Sequence, residues 1–114
     1  MMKKYLAAVA LALISSSSFA YYCSYTTYIS NDDKFNTSGK FLGNSVTKKA
    51  AAAILRQERA YAGSWECGLG DADSRARFEE KVKRSNLSPA VIKRIVRGNP
   101  TVRVEIYDSY VKVY

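Results

Sequence analysis

The sequence contains no histidine. Imidazole is the side chain that titrates nearest neutrality, so its absence removes Ser-His-Asp and Cys-His catalysis and most zinc sites. Cysteine is limited to Cys23 and Cys67. They are too far apart for a Cys-x-x-Cys redox motif, and without histidine they cannot complete a metal shell. Two prolines and six glycines are scattered along the chain, with no Pro/Gly-rich tract and no internal repeat. Acidic residues number ten against eighteen basic ones. After Ile14 there is no second long apolar run, so no transmembrane anchor is expected.

What is present begins with Lys3 and Lys4, followed by an uncharged apolar stretch from Tyr5 to Ile14 and a serine-rich end at Ser15–Ser18. Ser18-Phe19-Ala20 places small residues at the two positions that a signal peptidase reads. The stretch is shorter than the roughly 20 residues a spanning helix needs. Residues 1–20 are therefore expected to be a signal peptide cleaved after Ala20, and residues 21–114 a single domain of a periplasmic or secreted protein. Ala20, Tyr21 and Tyr22 before Cys23 do not form the small-residue pattern of a lipid-modified cysteine. In an oxidising compartment Cys23 and Cys67 should pair as a disulfide. The 94-residue product would bury about 60–65% of its unfolded surface, a thin margin that a crosslink widens.

Tyr22 to Ile29 alternates tyrosine and threonine and predicts a strand carrying Cys23 near its start. Asn31 to Gly39 collects turn residues and predicts a loop, with Phe35, Phe41 and Leu42 pinning it to the body. Ser45 to Gly63 predicts a helix with Ser45 or Thr47 as cap and Gly63 just past its end. Val46, Ala50, Ala53, Ile54, Gln57 and Tyr61 would make its inner face, with Lys48, Arg56 and Arg59 largely off it. Ser64 to Gly70, holding Trp65 and Cys67, is a connector. A second helix, capped by Asp71 or Asp73, runs to about Ser85. Its core stripe is only Phe78 and Val82, and Glu79–Lys83 and Glu80–Arg84 would support its outer side. Ser88-Pro89 opens a third helix with Val91, Ile92, Ile95 and Val96 as its apolar residues, ended by Gly98.

Val102, Val104 and Ile106 then alternate with Arg103, Glu105 and Tyr107, and a second alternating run covers Tyr110 to Tyr114. A two-residue turn at Asp108-Ser109 sets Tyr107 opposite Tyr110, Ile106 opposite Val111, Glu105 opposite Lys112 and Val104 opposite Val113. Apolar pairs then share one face and an opposite-charge pair the other. The expected architecture is α+β: an N-terminal strand, three helices and a C-terminal β-hairpin, forming a small antiparallel sheet with helices on one face.

Few catalytic constellations survive inspection. Ser45-Val46-Thr47-Lys48 fits Ser-x-x-Lys, but the companion motifs are missing and capping accounts for the serine. Glu79 and Glu80 point in different directions on a helix, and Asp71 and Asp73 serve as helix caps, so neither pair flanks a glycosidic bond. Asn31-Asp32-Asp33 with Asn36 and Gly39 lacks the oxygen spacing and closing glutamate of a calcium loop. No enzyme activity, metal or cofactor is implied.

Loss of Lys3 and Lys4 lowers the formal charge from +8 to +6, which favours anionic partners. Arg77, Lys81 and Arg84 fall on one side of the second helix, and Lys93, Arg94 and Arg97 crowd the end of the third. They are the candidate site for an anionic partner, although cations also suit a helix C-terminus on a solvated face. Eight tyrosines remain after processing. Tyr25 and Tyr28 in the first strand and Tyr107 and Tyr110 in the hairpin form the candidate interface, although tyrosine is also an ordinary strand residue. The sequence thus points to a small exported, non-enzymatic binding protein contacting an envelope macromolecule or an acidic protein. The alternatives are charge-driven binding to lipid head groups, polysaccharide or DNA, or a small secreted hydrolase or toxin.

Replacing Cys23 or Cys67 with serine is expected to lower unfolding free energy by up to about 4 kcal/mol, the chain-entropy value for a loop of this length. Chemical denaturation measures this, and two titratable thiols in the native exported protein would contradict the pairing.

Overall fold

The computed structural model describes residues 22–114; the expected signal peptide and Tyr21 lie outside the described residues. Strand β1 spans Cys23–Tyr28. Helices α1 (Lys48–Ala62), α2 (Ala72–Lys83) and α3 (Pro89–Arg97) follow, and then strands β2 (Thr101–Ile106) and β3 (Val111–Val113). The strands form one antiparallel sheet in the order β1-β2-β3. This is the α+β arrangement the sequence predicts. No described helix is long and apolar enough to cross a membrane.

The hairpin register follows from side-chain alternation. Val104 opposes Val113, Glu105 opposes Lys112 and Ile106 opposes Val111. The Tyr107 N–H closes the turn on the Tyr110 carbonyl at 2.9 Å. A one-residue slip would turn the valines outward, so burial of one face fixes the pairing. On the other side Cys23 opposes Ile106 and Tyr28 opposes Thr101. The inner face presents Tyr25, Val102, Val104, Ile106, Val111 and Val113, all buried.

Thr47 caps α1 by accepting from the Ala50 N–H at 3.1 Å. Gly63 ends it in the left-handed region at φ 63°, where glycine avoids the Cβ clash. The buried face of α1 differs from the expected one. Ala50 and Ile54 are buried as expected, but the buried set extends to Ala51, Leu55, Glu58 and Arg59, whereas Tyr61 is exposed and Val46, also exposed, precedes the cap. The helix is rotated by about 100°, one residue step. The alanine run is apolar on every side and carries no direction. Leu55 supplies the large apolar group, and Glu58 and Arg59 can enter because each neutralises the other.

Asp71 is the cap of α2, accepting from the Ser74 N–H at 3.1 Å, while Asp73 lies in the first turn. The core stripe is Phe78 and Val82, as predicted. The outer ion pairs are not those expected. Glu79 reaches Arg56 of α1 at 2.7 Å, and Glu80 pairs with Lys83 one turn on. Packing α2 onto α1 brings Arg56 within reach of Glu79, a contact that spacing along α2 alone cannot reveal. Ser88 caps α3 and Pro89 opens it. Both α2 and α3 pack on α1.

The loop after β1 contains a one-turn 3-10 helix, Asn31–Lys34. Leu42 packs against the core as expected. Phe35 and Phe41 face each other across an isolated bridge, ring centroids 5.3 Å apart, and stay exposed. The loop is tied down by cations instead. Lys34 donates to the Gly98 carbonyl, and Arg97 donates to the Gly43 carbonyl at 2.6 Å. In the α1–α2 connector the Trp65 ring lies where a Gly70 side chain would begin, 2.1 Å from an ideal Cβ.

The rotated face of α1 is testable. Leu55→Ala should cost about 2–5 kcal/mol in denaturant unfolding, and Val46→Ala no more than about 0.5. The face expected from the sequence requires a larger loss at Val46.

Candidate binding surfaces

Alternation in β1 separates its tyrosines. Tyr22 and Tyr28 point outward, whereas Tyr25 is 3% exposed and belongs to the core. Tyr25 therefore leaves the candidate interface. It is two-sided packing that claims it: its ring lies under the Arg59 guanidinium, 4.0 Å from centroid to Cζ. Arg59 is held by Glu58 through two parallel contacts, Nε to Oε1 at 2.6 Å and Nη2 to Oε2 at 2.7 Å. Thr27 donates to the same carboxylate at 2.5 Å. Glu66 lies 3.6 Å from the third guanidinium nitrogen. Burial raises the Tyr25 hydroxyl's pKa above its ordinary value, with Arg59 opposing the shift. This polar cluster joins β1 to α1 and is covered by the body of the protein.

Among the described residues, nothing covers the outer face of the sheet. Tyr22, Tyr107 and Tyr110 line up across the three strands at its hairpin end. Tyr22 and Tyr107 meet at 5.1 Å, tilted, and Tyr107 and Tyr110 stack at 4.6 Å. Glu105 lies among them on the central strand. It accepts hydrogen bonds from Arg103 Nε at 3.0 Å, Tyr114 Oη at 3.1 Å, Tyr107 Oη at 3.2 Å and Tyr22 Oη at 3.4 Å. Arg103 also donates to Tyr22 Oη at 3.2 Å. The Arg103 hydrogen bond holds the Glu105 carboxyl below the usual carboxylate range. Desolvation among the rings, reinforced by Glu105, pushes Tyr107 up to about 12. Three of these tyrosines, Tyr22, Tyr107 and Tyr114, therefore have hydroxyls anchored to one ionised carboxylate, and Tyr110 is held by stacking on Tyr107.

Of the tyrosines named from sequence, Tyr107 and Tyr110 are in this assembly. Tyr28 shares the face but sits at the opposite end of β1, across from Thr101. Tyr22 and Tyr114 belong to the tyrosine groups at the two ends of the domain, whereas Arg103 and Glu105 are not marked as interface residues by residue type. Their signal was available in the parity of the strand positions combined with the hairpin register, which places all of them on the polar face.

The six basic candidates are divided. Arg77, Lys81 and Arg84 line one cleft beside Cys67–Leu69 and Ile106, to which α3 contributes no residue. Lys81 donates to the Tyr107 carbonyl at 2.8 Å. Lys93 and Arg94 are exposed near the end of α3. Arg97 is engaged with Gly43 and secures the loop. The two cysteines are bonded to each other, Cα atoms 5.7 Å apart. Cys67 sits at φ 57°, a left-handed conformation uncommon for a side-chain-bearing residue.

Comparison with protein-family models, with curated proteins and with solved structures finds no match.

Because the folded-state pKa of Glu105 is depressed, its contribution is present above its unfolded value and is lost as pH falls through the folded one. The native protein should be more stable than Glu105→Gln at pH 7, and the difference should shrink as pH drops below about 4. Denaturant midpoints at several pH values measure this. A pH-independent difference would mean that the ionised carboxylate does not organise the tyrosines.

Proposed function

We propose that the protein is an exported, non-enzymatic binding module that recognises an acidic protein surface through the outer tyrosine face of its sheet. The observation that carries this reading is the set of Tyr22, Tyr107 and Tyr114 hydrogen-bonded to Glu105 beside Arg103, with Tyr110 stacked on Tyr107, on a face that the described residues leave exposed. Tyrosine and arginine dominate interface hot spots because they give large contact area and hydrogen bonds at low entropy cost. Here the rings and hydroxyls are restrained before binding, which reduces the ordering cost further.

An acidic partner fits the balance of charge. The chain without its expected signal peptide carries +6, and Arg103 and Lys112 lie on the face itself. Complementary charge speeds encounter, while the buried aromatic contacts control dissociation. Export is supported by the Lys3-Lys4 start, the apolar run and the Ser18-Phe19-Ala20 ending, and by the Cys23–Cys67 disulfide.

The test is affinity capture from the native envelope with immobilised protein, eluted in rising salt, in parallel with Tyr110→Ala/Tyr114→Ala and Lys93→Gln/Arg94→Gln variants. The expected result is one acidic protein that survives moderate salt on the native protein and on the lysine-arginine variant. The tyrosine variant should bind it at least about tenfold more weakly. Retention governed only by salt and lost with Lys93 and Arg94 would reassign the protein to charge-driven surface binding. Self-association lost with the tyrosines would make a second copy the occupant of the face.

A further inference from the structure

The cleft against α2 lies apart from the tyrosine face and has the form of a ligand site. It has a volume of about 670 Å³, within the roughly 300–1,000 Å³ of small-molecule pockets. Leu69, Phe78 and Ile106 are buried residues that line it. Its walls include Gly68 and Ala76, and an added Cβ at Gly68 would meet open space. The narrow stripe of α2 explains the opening: Phe78 and Val82 are its only buried residues, so the helix covers the core without filling the space beside the connector.

Three cations on the same helix face, Arg77, Lys81 and Arg84, border this apolar interior. None of them is ion-paired to a carboxylate among the described residues. Lys81 donates to the Tyr107 carbonyl, and Arg77 donates to the Ser74 hydroxyl at 3.2 Å. Glu80 also lines the cleft, but its carboxylate is held by Lys83 at 2.7 Å. The border is thus net positive around an apolar floor. A purely polar anion would leave the floor bare, and a neutral apolar ligand would leave the cations without a partner.

We propose that this cleft binds an amphipathic anion, one apolar chain seated over Leu69, Phe78 and Ile106 with a carboxylate or phosphate head held by Arg77, Lys81 and Arg84. Charge-assisted hydrogen bonds from guanidinium groups suit either head, and burial of the chain supplies the apolar contribution. The cleft and the tyrosine face lie on different parts of the molecule, so the ligand and the acidic partner are separate attachments.

Calorimetric titration with laurate, dodecyl phosphate and dodecyl maltoside, each below its micelle concentration, tests the assignment. Both anions should bind with one-to-one stoichiometry, and the neutral maltoside at least roughly tenfold more weakly. Arg77→Gln/Arg84→Gln should weaken both anions by about tenfold and leave the maltoside unchanged. Ala76→Trp, which fills the cleft from its wall, should abolish all three while circular dichroism remains native. Tighter binding of dodecyl phosphate supports a lipid-derived headgroup, and tighter binding of laurate a free fatty acid. The assignment is overturned if no amphiphile binds, if the maltoside binds as tightly as the anions, if the arginine variant binds anions unchanged, or if Ala76→Trp binds them as the native protein does. Tyr110→Ala/Tyr114→Ala should bind both anions as the native protein does, and a loss there would place the amphiphile on the sheet face instead and overturn the cleft.

Discussion

The attachment of β1 is the constraint on which the rest of the structure depends. This strand is first among the described elements, yet it pairs with β2, so Cys23 meets Ile106 across most of the chain. Closing so long a connection costs conformational entropy before any contact is made. The inner side of β1 offers little apolar area in return, since Cys23 and Thr27 flank Tyr25. Three other attachments therefore hold it: the ladder to β2, the disulfide to Cys67, and the Glu58–Arg59 pair gripping Thr27 and Tyr25. The ion pair is neighbouring residues on one helix, and burial of both charges is tolerable only because each is neutralised at short range and hydrogen-bonded.

Both candidate surfaces follow from that attachment. With β1 in place the sheet has three strands, and Tyr22 comes alongside Tyr107 to extend the aromatic row. The disulfide fixes the connector turn at Cys67 and Gly68, which forms one wall of the cleft facing α2. One strand thus completes the outer face on one side and anchors the cleft wall on the other. The same sheet divides them, because side chains alternate across its plane.

The charges show a similar division of labour. Lys34 and Arg97 spend their donors on backbone carbonyls that end the loop and α3, and Lys48 and Lys81 do likewise at Ser85 and Tyr107. Cations hydrogen-bonded to carbonyls keep their net charge, so the protein is tied together by the same groups that make it basic. The surface field therefore comes partly from structural side chains, and the positive balance alone does not mark a binding site.

Local chemistry made much of the fold legible. Turn, cap and alternation signals act over a few residues, so Thr47, Gly63, Ser88 and the hairpin register could be read directly, and the α+β arrangement followed from the order of elements. The buried face of α1 could not be read, because four alanines give no direction and the decision fell to Leu55, Glu58 and Arg59 against a strand far away in sequence. Tyr25 looked like its neighbours by type, but its position in the alternation sent it to the core. The Arg56–Glu79 pair required α2 to pack on α1 first. The sequence by itself determined the strands and α-helices to within a few residues at their ends, the hairpin pairing and the capacity for one crosslink, all set by short-range sterics and hydrogen bonding. Which charges are buried, which tyrosines gather around Glu105, and where the cations border an apolar cleft were decided only in the tertiary structure, because those contacts join residues that chain spacing does not relate.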